Sequence, residues 1–185
     1  MTYSPLRARR LLVRVAMFLA ALSVLTACST TVPGGMAAVT PFDINRYQGQ
    51  WYEIARMDHS FERGLSDVTA HYRLLPEGRV EVVNRGYDTQ RKEWRQVAGH
   101  AVFAGASNRA SLKVSFFGPF YAGYHVVALD QQDYCWAMVV GPNRSYFWIL
   151  AREKQLPAKT LEQLQEQAQG LGIDTEKLIR VAHTR

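Results

Sequence analysis

Few side chains in this sequence have the types and spacing that catalysis or metal binding requires. The candidates are two cysteines and five histidines, namely Cys28, Cys135, His59, His71, His100, His125 and His183. The histidines show no metal-ligand spacing with one another or with Cys135. The sequence also lacks a Gly-x-Ser-x-Gly elbow, a phosphate-binding loop and a Gly-x-Gly-x-x-Gly motif. We therefore expect no catalytic residue, no metal and no cofactor. Cys135 is interpreted as a small core or strand residue, and a catalytic thiol there, without a histidine motif beside it, is the alternative.

Cys28 differs from the other candidates because an export signal precedes it. Residues 1–27 combine a basic run, LRARRLLVR, with the apolar run VAMFLAALSVLTA. The apolar run is 13 residues long, which suits a signal peptide and is short for a bilayer span of about 20 residues. Residues 1–27 are therefore predicted to be a signal peptide, with a transmembrane anchor as the alternative.

The four residues LTAC, which end at Cys28, resemble the lipobox of bacterial lipoproteins. The resemblance implies cleavage before Cys28 and acylation of that residue with chains such as palmitate, which together give lasting membrane attachment. Ser29 stands where an aspartate commonly signals retention in the inner membrane. The resemblance therefore implies a lipid anchor in the cell outer membrane, on its periplasmic face.

The charge of the chain argues against a nucleic-acid partner. The formal net charge is +6, but Arg7, Arg9, Arg10 and Arg14 of the export signal supply four of these charges. No acidic residue occurs before Asp43, so the chain after the signal has a net charge of about +2. This charge is too small and too dispersed for a nucleic-acid interface.

The rest of the chain divides by composition into a tether and one domain. Residues 28–41 are mostly small and uncharged, with prolines and glycines, which predicts a flexible tether. Residues 42–185 have the length of one domain. Eight strand-like runs separated by short turn signals follow from Gly49 to about Arg152. This order predicts an all-β fold in which eight antiparallel strands form an up-and-down β-barrel around space for one small ligand.

A stripe of apolar residues at helical spacing follows the strands, at Leu161, Leu164, Ala168 and Leu171. It predicts a C-terminal α-helix packed on the outside of the barrel. Thr160 and Gln163 have the spacing of a capping box that would begin this helix. The run KLIRVAH is interpreted as a last short strand.

Several runs resemble the signatures of the lipocalin family. GQWYEIAR, which contains Gly49 and Trp51, resembles the first signature, and ILARE, which contains Arg152, resembles the third; DQQDYCW matches the middle one only in part. FERGL, KVSFFGPF and YFWILAR are similar to bacterial outer-membrane lipocalins and to apolipoprotein D. The resemblance covers nearly the whole mature chain. It implies that Trp51 plugs the barrel base with Arg152 across its ring, while Gly49 lets the backbone pass without a side chain.

Alternation along the strands, with its phase taken from Trp51 and Arg152, predicts which side chains face the barrel interior. The predicted ligand-binding residues are Ala55, Asn84, Ala101, Phe103, Leu112, Val114, Phe116, Tyr124, Val126, Tyr146 and Trp148. Glu53, Met57 and Ala128 have the same predicted phase. For each residue, a place in a packed core without ligand contact is the alternative.

The resemblance implies a protein that binds, stores or transports lipids for membrane maintenance under stress. The barrel dimensions favour a ligand with one acyl chain, a fatty acid or a lysophospholipid. Its polar head is expected at the mouth near His59, Glu62 and Arg63. The alternatives are an envelope lipoprotein that acts through a protein partner and an enzyme on the same scaffold. The similarity to bacterial members also suggests a homodimer.

Overall fold

The computed structural model describes residues 29–185. The predicted export signal and the predicted acylation at Cys28 lie outside the described residues. Within residues 29–185, the helices lack the combination of length and apolar character that crossing a bilayer would take.

Eight antiparallel strands follow one another along the chain, and each pairs with the next. Because β1 pairs with β8 as well as with β2, the sheet closes into a barrel. The strands are β1 (Gly49–Arg56), β2 (Leu65–Leu74), β3 (Val80–Asp88), β4 (Glu93–Phe103), β5 (Ser111–Ser115), β6 (Ala122–Leu129), β7 (Trp136–Val140) and β8 (Phe147–Ala151). The predicted eight-stranded up-and-down β-barrel is confirmed.

The barrel has a closed end and an open end, which we call the base and the mouth. A one-turn helix, α1 (Ile44–Tyr47), lies at the base, directly before the start of β1. Because the strands alternate in direction, the base also carries the loops 75–79, 104–110 and 130–135. The mouth carries the loops 57–64, 89–92, 116–121 and 141–146.

Two irregularities in strand pairing change which side chains face the interior. The β1–β8 register shifts between Glu53 and Ala55, and the β6–β7 register shifts between Val126 and Ala128. A bulge of this kind moves the residues beyond it to the other face of the sheet. Ala55 and Ala128 consequently pack in a cluster outside the barrel, and Met57 packs against that cluster. The prediction that these three residues face the interior is wrong.

Helix α2 (Ala158–Gly170) covers this outer cluster. Its buried residues Leu161, Leu164 and Ala168 pack with Phe147 and Ile149 of β8, so the predicted helix on the outer wall is confirmed. The helix begins earlier than the predicted capping box. Pro157 occupies the cap position and no side chain caps the described helix, so the capping-box prediction is wrong.

The C-terminal tail fills a gap between β1 and β2 near the mouth. β2 separates from β1 beyond Thr69, where Asp67 has a positive φ of 52° and the β2–β3 register shifts. A short strand, β9 (Ile179–Arg180), pairs with β1 in that gap. The Oδ1 atom of Asp67 then accepts hydrogen bonds from the backbone N–H groups of Thr184 (2.6 Å) and Arg185 (2.7 Å).

Residues 29–41, which we call the N-terminal strap, lie along the outside of the barrel from mouth to base. Near the mouth, Gly123 donates its backbone N–H to the carbonyl of Ser29 at 3.0 Å. Near the base, the N–H of Val39 donates to Val126 and its carbonyl accepts from Ala110, both at 2.9 Å. These bonds satisfy backbone groups that the five-residue strand β5 leaves unpaired. The strap is therefore docked, which corrects the predicted flexible tether for the described residues.

Candidate ligand-binding interior

The base is closed by a tryptophan and an arginine. Trp51 is fully buried, and its indole N–H donates to the carbonyl of Tyr47 at 2.8 Å. The guanidinium of Arg152 lies 3.9 Å from the centre of the Trp51 ring. It also donates to the backbone carbonyls of Gln50 and Arg46, each at 2.8 Å. Gly49 sits beside Arg152 with a φ of +87°, a conformation that other residues adopt only with strain.

Three tyrosines form a floor above this closure. The hydroxyl of Tyr124 lies 2.8 Å from the hydroxyl of Tyr47 and 2.8 Å from that of Tyr72. Burial raises the pKa of all three tyrosines above the ordinary value, so they remain neutral. We call these three residues the tyrosine floor. Tyr124, one of the predicted ligand-binding residues, therefore marks the lower limit of the space for a ligand.

Most of the other predicted lining residues pack with the tyrosine floor in one interior cluster. Regular pairing places Ala101 opposite Val114 and Phe103 opposite Leu112. The apolar wall is the set of interior residues Ala101, Phe103, Leu112, Val114, Phe116 and Val126. The wall has room for the Phe116 ring because Gly99 has no side chain. A Cβ atom at Gly99 would lie 2.7 Å from that ring.

A buried polar cluster faces the interior next to the mouth; alternation predicted the inward phase of Glu53 and Trp148 but missed Arg56. Arg56 donates to the carboxylate of Glu53 at 2.8 Å and to the backbone carbonyl of Glu62 at 2.9 Å. The carboxylate of Glu62 accepts the indole N–H of Trp148 at 3.0 Å. We call Glu53, Arg56, Glu62 and Trp148 the Arg56 cluster. Arg56 faces inward because the β1 bulge lies before it. Simple alternation from Trp51 places Arg56 on the outer face, and the sequence gives no sign of the bulge.

The Arg56 cluster has one cation for two carboxyl groups. Burial, with the nearby Glu62 carboxyl, raises the pKa of Glu53 to about 8 despite the opposing effect of Arg56. Burial also raises the pKa of Glu62, against its hydrogen bond with Trp148. Both carboxyl groups are therefore harder to ionise than the carboxyl group of an exposed glutamate.

An aromatic stack covers the cluster at the mouth. The His59 ring is nearly parallel to the rings of Tyr146 (centroids 4.7 Å apart) and Phe61 (5.2 Å) and lies 5.0 Å from that of Trp148. Burial and the charge of Arg56 lower the pKa of His59 to about 4, so its ring is neutral near pH 7. His59 is thus a buried stacking residue, which differs from the predicted polar loop residue that would meet a lipid head at the mouth.

A cleft opens beside the stack, between the mouth ends of β2, β3 and β4. It has a volume of about 90 Å³ and is lined in part by Glu62, Val68, Asn84 and Val97. The side-chain oxygen of Asn84 has no hydrogen-bond partner within residues 29–185. Ligand pockets usually exceed about 300 Å³. An acyl chain can therefore enter this cleft only if lining side chains such as Phe61 and Leu65 move.

Cys135 lies at the base, away from this interior. Its thiol donates to the carboxylate of Asp130 at 2.8 Å, and this bond raises the pKa of the thiol to about 11. Asp133 lies close enough to share a cation with these two residues. The neutral thiol is neither a nucleophile nor the thiolate that metals prefer.

The barrel resembles solved lipocalin structures despite low sequence identity. Insecticyanin from the tobacco hornworm Manduca sexta superposes with a TM-score of 0.67 at 19% identity, covering 83% of this chain and 87% of insecticyanin. The cockroach allergen Per a 4 gives a TM-score of 0.64, also at 19% identity, covering 83% of this chain and 94% of the allergen. At these identities the likeness concerns the fold alone.

Sequence relatives are much closer. The chain is 49% identical to the outer membrane lipoprotein Blc of Escherichia coli (strain K12), covering 93% of this chain and 97% of that protein. It is 45% identical to the Blc of Vibrio cholerae, over 90% and 97%, and 34% identical to mouse apolipoprotein D, over 74% and 75%. The lipocalin-like domain family matches residues 42–183. The chain belongs to the lipocalin family.

Proposed function

We propose that this lipocalin is an outer-membrane lipoprotein that binds a single-chain lipid, a fatty acid or a lysophospholipid, and stores or transports it for membrane maintenance under stress. The relatives from Escherichia coli and Vibrio cholerae are named outer membrane lipoproteins. The LTAC motif that ends at Cys28 supports the same kind of anchor in this chain.

The observation that carries the proposal is the division of the interior into an apolar wall and the Arg56 cluster. The wall offers Leu112, Val114 and Phe116 to a hydrocarbon tail. The cluster places buried polar groups next to the mouth, where Asn84 also presents an oxygen that has no partner within residues 29–185. A lipid with one tail and one polar head has the same division, and binding sites for such ligands combine an apolar lining with a few polar groups.

The interior favours one acyl chain over two. The tyrosine floor closes the space from below, and the hydroxyl hydrogen bonds of Tyr124 fix its position. The Arg56 cluster and Trp148 occupy the side of the interior formed by β1 and β8. A tail can lie along the apolar wall opposite them, whereas a second tail would have to displace buried charged groups, which is costly.

The ligand class can be tested by fluorescence titration with palmitic acid, palmitoyl-lysophosphatidylethanolamine and dipalmitoyl-phosphatidylethanolamine. Trp148 lies in the Arg56 cluster next to the mouth, where an entering lipid would contact it, so the two single-chain lipids should change its emission. The Trp148→Phe variant should lose this signal. The matched control is Trp136→Phe, because Trp136 packs against the cluster under α2, outside the barrel, and its loss should leave the signal intact.

The dissociation constants from that titration test the proposed ligand class. Trp148→Ala should weaken single-chain binding by about tenfold, since a large aromatic contact is lost. The proposal is wrong if the two-chain lipid binds best, or if no single-chain lipid binds below about 100 μM.

The anchor can be tested separately by labelling cells with radioactive palmitate. Cys28→Ser removes the sulfur that acylation needs, so this variant should remain an uncut precursor without label. Cys135→Ser is the matched control and should be labelled like the wild type. Normal labelling of Cys28→Ser would contradict acylation at this residue.

A further inference from the structure

We propose that the barrel docks mouth-first on a phospholipid bilayer, with Phe61, Phe117 and Phe120 inserted as an aromatic rim. The inference rests on the proposed function, because it assumes a lipid anchor at Cys28. It adds a second contact with the membrane, and with that contact an orientation in which the barrel opens toward the lipid.

The three rings are the most exposed large apolar side chains of the described chain. Phe117 is 77% exposed, Phe120 is 67% exposed and Phe61 is 53% exposed. All three lie in mouth loops, Phe61 between β1 and β2 and the other two between β5 and β6, so they occupy two sides of the opening. The described base loops carry no large apolar side chain with comparable exposure. A phenylalanine in water is unfavourable, and exposed apolar groups gathered at one end mark an interaction surface.

The described chain begins at the same rim. The carbonyl of Ser29 accepts the backbone N–H of Gly123 at 3.0 Å, and Gly123 follows the loop 116–121 by two residues. Ser29 is the residue directly after Cys28 in the sequence. An acyl anchor on Cys28 would therefore enter the membrane beside Phe117 and Phe120, and this is the reason to choose a bilayer as the occupant of the rim.

The charges around the mouth suit an anionic lipid surface. The mouth loops carry four basic side chains, Arg63, Arg91, Lys92 and Arg144, and two acidic ones, Asp58 and Glu62. Glu62 is buried in the Arg56 cluster. The base loops carry two basic and three acidic side chains. Basic residues around inserted aromatic rings are typical of proteins that lie on membranes containing anionic lipid.

The orientation can be measured with nitroxide labels on the full acylated protein in vesicles of phosphatidylethanolamine and phosphatidylglycerol. In a Cys135→Ala background, Ser145→Cys places a label in a mouth loop and Glu77→Cys places a matched label in a base loop. The ratio of collisions with oxygen to collisions with a water-soluble nickel chelate rises when a label approaches the bilayer. We expect this ratio to be at least about twofold higher at position 145 than at position 77.

The contribution of the rim is tested by adding Phe117→Ser and Phe120→Ser to the Ser145→Cys protein. Both rings are exposed, so the folded barrel should persist, and the ratio at position 145 should fall to that at position 77. Equal ratios at the two positions in the protein with both rings would overturn the proposal. So would shielding of position 145 from both reagents together with spin–spin broadening that grows with protein density, because that result places a second copy of the chain on the rim.

The same samples distinguish failure of docking from failure of the proposed function. Palmitoyl-lysophosphatidylethanolamine is titrated into each and Trp148 emission is recorded. Lipid binding with equal label ratios overturns the docking alone. Loss of lipid binding in the protein with intact rim residues would instead contradict the proposed function.

Discussion

Arg152 is a residue whose contacts hold the base closed without touching the apolar wall. It covers the Trp51 ring and donates to three backbone carbonyls. We expect Arg152→Ala to lower the free energy of unfolding by about 1–3 kcal/mol, because an indole face and these carbonyls lose their partner. Urea denaturation followed by circular dichroism measures the loss. Lipid affinity should stay within about twofold of the wild type.

The matched control for this change is Arg79→Ala. Arg79 is an exposed base-loop arginine whose side chain pairs with Glu77, and exposed pairs contribute less than about 1 kcal/mol. Unchanged stability of Arg152→Ala together with lost lipid binding would contradict a structural role.

Glu53 should make stability depend on pH. Its folded pKa of about 8 lies above the ordinary value of 4.5. Between these values the folded chain holds a proton that the unfolded chain has released. This group's contribution is therefore fully present below about pH 4.5 and is lost as the pH rises toward 8. Glu53→Gln cannot lose a proton, so its stability relative to the wild type should increase between about pH 5 and pH 8.

Unfolding by urea at several pH values tests this prediction. Glu77→Gln is the control. The hydrogen bond with Arg79 lowers the pKa of Glu77, so the stability that this exposed pair contributes does not decrease as the pH rises. If both variants respond to pH in the same way, Glu53 is not the group responsible.

The strands show where sequence reasoning succeeds and where it stops. Alternation placed Ala101, Phe103, Leu112 and Val114 on the interior face because β4 and β5 pair without interruption. It misplaced Ala55 because the register shift in β1 arises from its pairing with β8, about a hundred residues later in the chain. The same shift brings Arg56 inward. The inward position of Arg56 thus depends on a register shift between β1 and β8, which local sequence patterns do not encode.

Asp67 connects β2 to the C-terminal tail, and its removal should loosen that tail. We expect Asp67→Ala to cost about 1–3 kcal/mol, because two backbone N–H groups lose a charged acceptor and alanine tolerates the positive φ poorly. Hydrogen exchange should show faster exchange of the amides of Thr184 and Arg185. Asp67→Asn keeps an oxygen acceptor and tolerates the same φ, so it should preserve most of the protection. Equal exchange in both variants would contradict the contact.

For the whole molecule, the order of strands, the closed barrel and the outer helix could all be predicted, since turn signals and periodicity are local properties. The docking of the N-terminal strap could not be predicted from the sequence. Its composition is that of a linker. Its position depends on hydrogen bonds with the N–H of Ala110 and the carbonyl of Val126, which lie side by side only in the folded barrel.

The strap can be released by a change to one residue. Val39→Pro removes the N–H that bonds to Val126, so residues 29–38 should become sensitive to limited proteolysis. The free energy of unfolding should fall by about 1–3 kcal/mol. Val39→Ala keeps the N–H and should resist the protease better. If the two variants are cut at the same rate, the backbone bonds of Val39 do not hold the strap in place.

The docked strap also limits how far the protein can travel. Thirteen extended residues, 29–41, would span about 45 Å. A flexible tether of this length would let an anchored barrel move well away from its own leaflet. Because Ser29 is bound to Gly123 and Val39 is bound to β6, these residues cannot extend and the barrel stays close to its anchor. An acylated protein of this form would exchange lipid with the leaflet in which it stands, at high local concentration. If it binds lipid as proposed, it would take up and release that lipid at its own leaflet and not at a facing membrane.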